Sequence, residues 1–122
     1  MRVASPKPLR WIASSKKDLK KFPGPVQRDL GYALDEAQHG GTSSDAKPLK
    51  GFSGVSVMEI VVDHQTDTYR GVYTAKYGDV VFVLHAFQKK SKHGTEMTQS
   101  DKDLIRQRLR AAEMDYLENR EN

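Results

Sequence analysis

The fold is decided by the stretch from Lys47 to His93, which reads KPLKGFSGVSVMEIVVDHQTDTYRGVYTAKYGDVVFVLHAFQKKSKH. It contains three runs rich in β-branched and aromatic residues, at 55–63, 68–77 and 80–87, joined by two short polar turns. Short connections between strands favour antiparallel neighbours. The last run, VVFVLHAF, is almost continuously apolar, which is typical of a strand that is buried on both faces. The stretch therefore predicts a compact antiparallel meander.

Two helices are predicted before the meander. The first should begin at Ser14 or Ser15 and extend through Phe22, and the second should follow the Pro-Gly-Pro corner at 23–25. The apolar residues of the second helix recur at helical spacing, so one side of it should pack on the sheet. The corner predicts that the two helices form a hairpin. LRWIA, at 9–13, is an edge strand or a buried connector, and 42–46 is a polar loop.

A third helix is predicted after the meander, from about Gln99 to Glu118. Ser100 and Asp103 have the spacing of a capping box at its start. The helix carries three arginines that we expect to be largely solvated: Arg106, Arg108 and Arg110.

Composition limits the class of protein. The 122 residues, 37% hydrophobic and 30% charged, predict one soluble domain over 1–122, with 1–8 and 119–122 loosely ordered. No apolar run is long enough to span a bilayer, and no leader peptide is evident. Because the chain has no cysteine, disulfides, thiolate nucleophiles and sulfur-ligated metals are excluded, and a reducing cytoplasm is the simplest setting. The net charge of +4 is compatible with a polyanionic partner but identifies none.

Basic side chains and imidazoles gather in and around the strands, which suits a phosphodiester ligand. They are Lys50, Arg70, His85, Lys89, Lys90, Lys92 and His93.

Arg70 lies inside a strand of apolar and small residues. If it shares a face with Val72, its charge must meet an anion, because an unpaired buried charge is very costly. That anion is either Glu59 of the adjoining strand, in a salt bridge, or a phosphate held by the bidentate geometry of the guanidinium.

Lys89 and Lys90 directly follow the apolar strand. Adjacent ammonium groups disfavour each other's charge, which suits a general base, and they can also neutralise phosphate charge. The alternative is a solvated loop, which Lys92 and His93 would extend.

His85 should share a strand face with Phe87, either as a hydrogen-bonded core residue or as a general acid. The four histidines lack a metal-ligand spacing such as HExxH, and the chain has no phosphate-cradling glycine loop. Neither a metal nor another cofactor is therefore expected.

Several motifs follow one another in a specific order: PLKG at 48–51, a strand with Glu59, DTYR at 67–70, LHAFQKK at 84–90, and a terminal amphipathic helix. Over about 9–117 this order resembles the RelE/ParE toxin superfamily, and most closely the phage-derived HigB-like branch of type II toxin–antitoxin systems. The resemblance implies an α+β fold in which an N-terminal helical hairpin packs on a curved, mainly antiparallel sheet that is followed by a C-terminal helix.

The resemblance also implies an activity. RelE-type and HigB-type toxins are metal-independent endoribonucleases that enter the ribosomal A site and cleave mRNA, with the 2′-OH attacking the adjacent phosphate. By this likeness Arg70 holds the scissile phosphate, Lys50 faces the cleft, Lys89 and Lys90 neutralise the transition state, and His85, at the LH position of this branch, belongs to the catalytic set. Lys92 and His93 extend the substrate-binding side. The identity of the acid and of the base stays open.

The partners implied are mRNA and a cognate helix-turn-helix antitoxin, with DNA contacted only through the antitoxin and no role for a membrane. Two alternatives remain. A ParE-like DNA gyrase inhibitor would share the fold without nuclease chemistry, and a protein of this fold that has lost activity would only bind RNA or a partner. The basic residues of the cleft favour RNA over gyrase.

Overall fold

The computed structural model describes residues 5–52, 56–89 and 97–120. Over these residues the elements, in chain order, are β1 (Leu9–Trp11), α1 (Ser15–Leu19), α2 (Gly24–Gln38), β2 (Ala46–Pro48), β3 (Val57–His64), β4 (Asp67–Thr74), β5 (Val81–Lys89) and α3 (Gln99–Arg120).

The strands form one mixed sheet in the order β1-β5-β4-β3-β2. The pairs β2–β3, β3–β4 and β4–β5 are antiparallel, and β1 pairs parallel with β5. The predicted meander and the predicted α+β class are thus confirmed, and LRWIA contributes an edge strand. β2 was not predicted, because its three residues include a proline and show no alternation.

Helices cover both faces of the sheet and divide the core in two. On one face α2 lays its buried stripe of Val26, Leu30, Ala33, Leu34 and Ala37 against β3 and β4. The packing there is close, because a Cβ added at Gly71 of β4 would lie 3.2 Å from the Leu30 side chain.

On the other face α3 packs through Ile105, Leu109 and Ala112 onto Val72 and Phe82, together with other buried residues. A β-bulge lies in β5, because the register passes from Val72 opposite His85 to Tyr73 opposite Val83. The extra residue, Leu84, joins the core of the α3 face, and His85 reaches α3 as well.

The ends of the helices differ from the predicted ones. α1 ends at Leu19 rather than Phe22, shortly before the proline corner. At the start of α3, the Thr98 hydroxyl accepts a hydrogen bond from the Asp101 backbone N–H at 3.1 Å and donates to the Asp101 carboxylate at 2.7 Å. The predicted cap at Ser100 is therefore wrong by two residues.

Of the lead-in 1–8, which was predicted to be loosely ordered, 1–4 lie outside the described residues, and Lys7 and Pro8 form backbone hydrogen bonds. The Lys7 backbone N–H donates to the Gln38 carbonyl at 2.8 Å, and the Pro8 carbonyl accepts from Val81 at 3.0 Å. At the other end, Asn119 still hydrogen-bonds to Asp115 within α3. Among the described residues no helix has the length and apolarity needed to cross a membrane.

Candidate functional site

The register of the sheet places the candidate residues of β4 and β5 on one face. Arg70 lies between Val61 of β3 and Phe87 of β5, and the next pair on the same face, toward the start of β4 and the end of β5, is Thr68 with Lys89. Since alternate residues of a strand share a face, Arg70 and Lys89 lie on the face that α3 covers further along the sheet. These two predicted residues therefore belong to one surface.

A pocket of about 190 Å³ opens beside Arg70. It is formed where β2 and the segment after it, β3, β4 and the start of α3 come together, so residues far apart in the chain meet there. Its described lining residues are Lys47, Pro48, Leu49, Lys50, Glu59, Arg70, Met97 and Lys102. Lys50 and Arg70, both selected from the sequence, are thus brought together, and four basic side chains face one carboxylate.

Arg70 forms a salt bridge with Glu59, which was one of the two anions that the sequence offered as its partner. Its Nη1 donates to Glu59 Oε2 at 2.8 Å, and each residue is only 5% exposed. The second oxygen of Glu59 lies 3.7 Å from Lys47 Nζ. Two of the four cations therefore share this buried carboxylate, and Arg70 presents its guanidinium to the pocket from a fixed position.

The other two cations of the pocket, Lys50 and Lys102, have no carboxylate within salt-bridge distance among the residues that the structure describes. Lys50 is exposed and Lys102 is half-buried. Since Glu59 offsets only part of the positive charge, the pocket keeps an excess of positive charge. An anionic ligand would complement it.

His85 lies opposite Val72, two positions along the sheet register from the Arg70–Phe87 pair, beneath the start of α3, and is not among the residues that line the pocket. It is 7% exposed, stacks on Phe87 with ring centroids 4.4 Å apart, and places Nε2 3.1 Å from Asp101 Oδ1. Its Nδ1 faces Arg108 Nη1 at 3.4 Å.

These contacts favour a neutral His85. Burial lowers the pKa of its imidazole, the hydrogen bond to Asp101 opposes that effect, and the positive charge of Arg108 adds to it. Because Arg108 can only donate, Nδ1 must accept. The proton of the neutral ring therefore lies on Nε2, which donates a hydrogen bond to Asp101. The geometry therefore favours a positioning role for His85, as the link between β5 and α3.

Arg108 is half-buried and hydrogen-bonded rather than largely solvated, so that prediction is wrong. Its Nη1 donates to the Leu84 carbonyl at 2.9 Å, and its Nη2 donates to the Ser14 hydroxyl at 3.1 Å. The β-bulge places the Leu84 carbonyl within reach of α3. Arg108 consequently ties α3 to β5 and to the start of α1, which the helical spacing alone did not reveal.

Of the remaining predicted site residues, Lys89 lies within the described part of the chain. Lys89 is half-buried at the end of β5, on the Arg70 face. Lys90, Lys92 and His93 lie outside the described residues. The described part of the chain contains no cluster of three or more His, Asp or Glu side chains that could hold a metal ion.

Sequence reasoning missed Lys47 and Lys102. Lys47 belongs to the unrecognised strand β2, whose register sets it opposite Glu59. A signal for Lys47 existed in its closeness to PLKG, whereas Lys102 is brought to the pocket only by the docking of α3.

Comparisons with known proteins bear on this architecture. A family model described as phage-derived protein Gp49-like matches residues 17–110, which is more than half of the chain. No curated protein sequence is significantly similar to the chain.

Among solved structures, the fold is similar to a mutant of the Escherichia coli toxin RelE in the free state, with a TM-score of 0.50 and 21% identity over 67% of this chain and 82% of that one. The RelBE2 toxin–antitoxin complex of Mycobacterium tuberculosis matches more weakly, with a TM-score of 0.43 and 18% identity over 70% of this chain and 94% of that one. The first likeness confirms the expected RelE-like fold, and the family match shows that this chain is a member of the phage-derived Gp49-like family.

Proposed function

We propose that this protein is the toxin of a type II toxin–antitoxin system and acts as a ribosome-dependent mRNA endoribonuclease. The observation that carries the proposal is the pocket beside Arg70, in which four basic side chains face a single described carboxylate. A site with excess positive charge suits an RNA backbone. The RelE-like fold and the Gp49-like family are consistent with this reading.

The proposed reaction is an internal transfer. The 2′-hydroxyl of the substrate loses its proton and attacks the neighbouring phosphorus, the bond to the 5′-oxygen breaks, and that oxygen takes up a proton. The products are a 2′,3′-cyclic phosphate and a 5′-hydroxyl. Such a reaction requires in-line alignment, proton transfer and charge neutralisation, and it needs no metal or other cofactor.

Arg70 and Lys89 are the described residues that we assign to charge neutralisation, because they share one face of the sheet. Lys50, exposed at the pocket and without a carboxylate partner in the described ranges, is assigned to substrate binding. The ribosome would hold the mRNA in line, which explains how a pocket this small could suffice.

The proposal includes a cytoplasmic location and a cognate helix-turn-helix antitoxin that covers the basic pocket or keeps the toxin off the ribosome. The antitoxin, rather than this chain, would contact DNA. Co-expression with the product of the neighbouring gene tests this part: the pair should co-purify, and growth arrest should disappear.

The activity is tested by incubating the purified protein with mRNA, with and without programmed ribosomes, and mapping the new 5′ ends. We expect cleavage only with ribosomes, unchanged by a metal chelator at a concentration that leaves the ribosomes intact. No cleavage together with inhibition of gyrase supercoiling would overturn the proposal in favour of a gyrase inhibitor.

Lys50→Gln is the informative variant, because Lys50 is exposed and its replacement leaves the Arg70–Glu59 pair intact. We expect it to reduce cleavage by about tenfold or more with an unchanged melting temperature. Lys20→Gln, which removes one exposed charge at the end of α1, is the matched control and should cleave normally.

A further inference from the structure

Lys102 stands in an electrostatically unfavourable position. It is the fourth residue of α3, and its side chain lines the pocket that already contains Lys47, Lys50 and Arg70. The N-terminus of a helix carries a partial positive charge, so a cation in the first turn is disfavoured. Three other cations around the same pocket add to that repulsion.

The neighbouring carboxylate does not relieve this repulsion. Asp101 Oδ2 accepts a hydrogen bond from the Thr98 hydroxyl, and its other oxygen, Oδ1, lies 3.1 Å from His85 Nε2. Across the described ranges, no salt bridge joins Lys102 to Asp101 or to any other carboxylate. Within the described ranges, Glu59 is therefore the carboxylate that this charge meets at the pocket, and Lys47 and Arg70 already share it.

The start of α3 is nevertheless held firmly in place. The Lys102 backbone N–H donates to the Thr98 carbonyl at 3.1 Å, and Asp101 is joined through His85 to β5. Arg108 fixes the same helix to the Leu84 carbonyl. The chain thus holds a disfavoured cation at a defined place, a local conflict of the kind expected at functional sites.

We propose that Lys102 is a substrate-contacting residue that binds an RNA backbone phosphate from the α3 side of the pocket. Lys50 lines the same pocket from the segment that follows β2. This assignment rests on the proposed function and adds a residue to its site. With Arg70 and Lys47 both engaged by Glu59, Lys50 and Lys102 supply the charge that an incoming phosphate meets first.

The test compares wild type, Lys102→Gln and Arg110→Gln. Arg110 is exposed two turns further along the same helix and is not among the residues that line the pocket, so its replacement removes one charge of the same sign elsewhere. Each protein is titrated with a fluorescent single-stranded RNA in which every 2′-hydroxyl is methylated, which prevents cleavage. The dissociation constant is measured at several salt concentrations.

We expect Lys102→Gln to weaken binding for every RNA sequence tried and to reduce the slope of log affinity against log salt by about 0.7, the value for one phosphate contact on a single strand. Arg110→Gln should change the slope by less than half as much. Lys102→Arg should restore most of the affinity. The melting temperature of Lys102→Gln should be unchanged or higher than that of wild type, because a disfavoured charge is removed.

Two results would overturn the assignment. One is a salt slope for Lys102→Gln equal to that of wild type, and the other is a lower melting temperature, which would indicate a structural role. Ribosome-dependent cleavage, measured in parallel, separates the two proposals: normal cleavage and normal binding by Lys102→Gln would remove Lys102 from the site and leave the nuclease proposal intact. A wild-type protein that neither binds RNA nor cleaves it would remove both.

Discussion

Arg70 and Glu59 form a buried pair in which replacing one residue alone affects folding as well as the pocket. Each is almost fully buried and they share a hydrogen bond of 2.8 Å, so removing either leaves a charge without its main partner. Loss of one member of a buried pair typically costs about 3–5 kcal/mol, whereas replacing both members by apolar residues is often close to neutral.

We therefore expect Arg70→Met to lower the free energy of unfolding by about 3–5 kcal/mol, and the double variant Glu59→Met with Arg70→Met to lose much less. Urea denaturation of the single and double variants measures the coupling. Equal losses in the two proteins would show that the pair is not the source of the effect. It follows that a loss of the proposed activity in an Arg70→Ala variant is informative only with a parallel measurement of folding.

Arg108 and Arg110 provide a matched comparison on one helix. Arg108 donates to the Leu84 carbonyl and to Ser14, while Arg110 is exposed. Arg108→Ala leaves a buried carbonyl acceptor unsatisfied, so we expect it to lower the free energy of unfolding by about 1–3 kcal/mol. Arg110→Ala should stay within about 0.5 kcal/mol of wild type. Similar values for the two would mean that the Arg108 contacts do not contribute in solution.

At the scale of the element, α3 depends on its cap. Thr98 makes the hydrogen bonds at the helix start that Ser100 was expected to make. Thr98→Ala should therefore cost about 1 kcal/mol in thermal or urea denaturation, and Ser100→Ala should cost little. A larger loss of stability in Ser100→Ala than in Thr98→Ala would instead support Ser100 as the capping residue.

The contact between α3 and β5 should respond to pH through His85. Burial lowers the pKa of this imidazole below the ordinary value of about 6.5, against the opposing effects of Asp101 and Asp18. As pH falls from about 6.5 toward the lower folded value, the unfolded chain binds more protons than the folded one, so the free energy of unfolding decreases. At higher pH this contribution is fully present.

Urea denaturation at about pH 7.5 and pH 5.5 checks this expectation. His85→Asn removes the titrating group, so its stability should fall less between the two pH values than that of wild type. The same decrease in both proteins would assign the pH dependence to other residues.

For the whole molecule, the elements that the sequence predicted are those with local signals. β3, β4 and β5 alternate or run continuously apolar between clear turns, and α2 and α3 carry full apolar stripes. β1 could be placed only as an edge strand or connector, because its parallel pairing with β5 joins residues about seventy positions apart. Three-residue elements leave too little pattern to read.

The site was predictable to the extent that its residues lie in β-rich motifs. Lys50 and Arg70 were found because PLKG and DTYR frame strands, and Glu59 was identified as a partner for Arg70 from the adjoining strand. Lys102 and Arg108 were not, because their roles depend on where α3 docks and on a bulge in β5. The spacing of residues within a helix indicates neither where the helix docks nor where a neighbouring strand has a bulge.

The two rims of the sheet are formed by strands of only three residues, β1 and β2. A rim offers unpaired backbone groups to which another chain can add, and brevity, lysine and proline each discourage such addition. β2 combines all three, since it consists of Ala46, Lys47 and Pro48. Lys47 thus lines the pocket and also disfavours edge-to-edge aggregation of the sheet at high protein concentration.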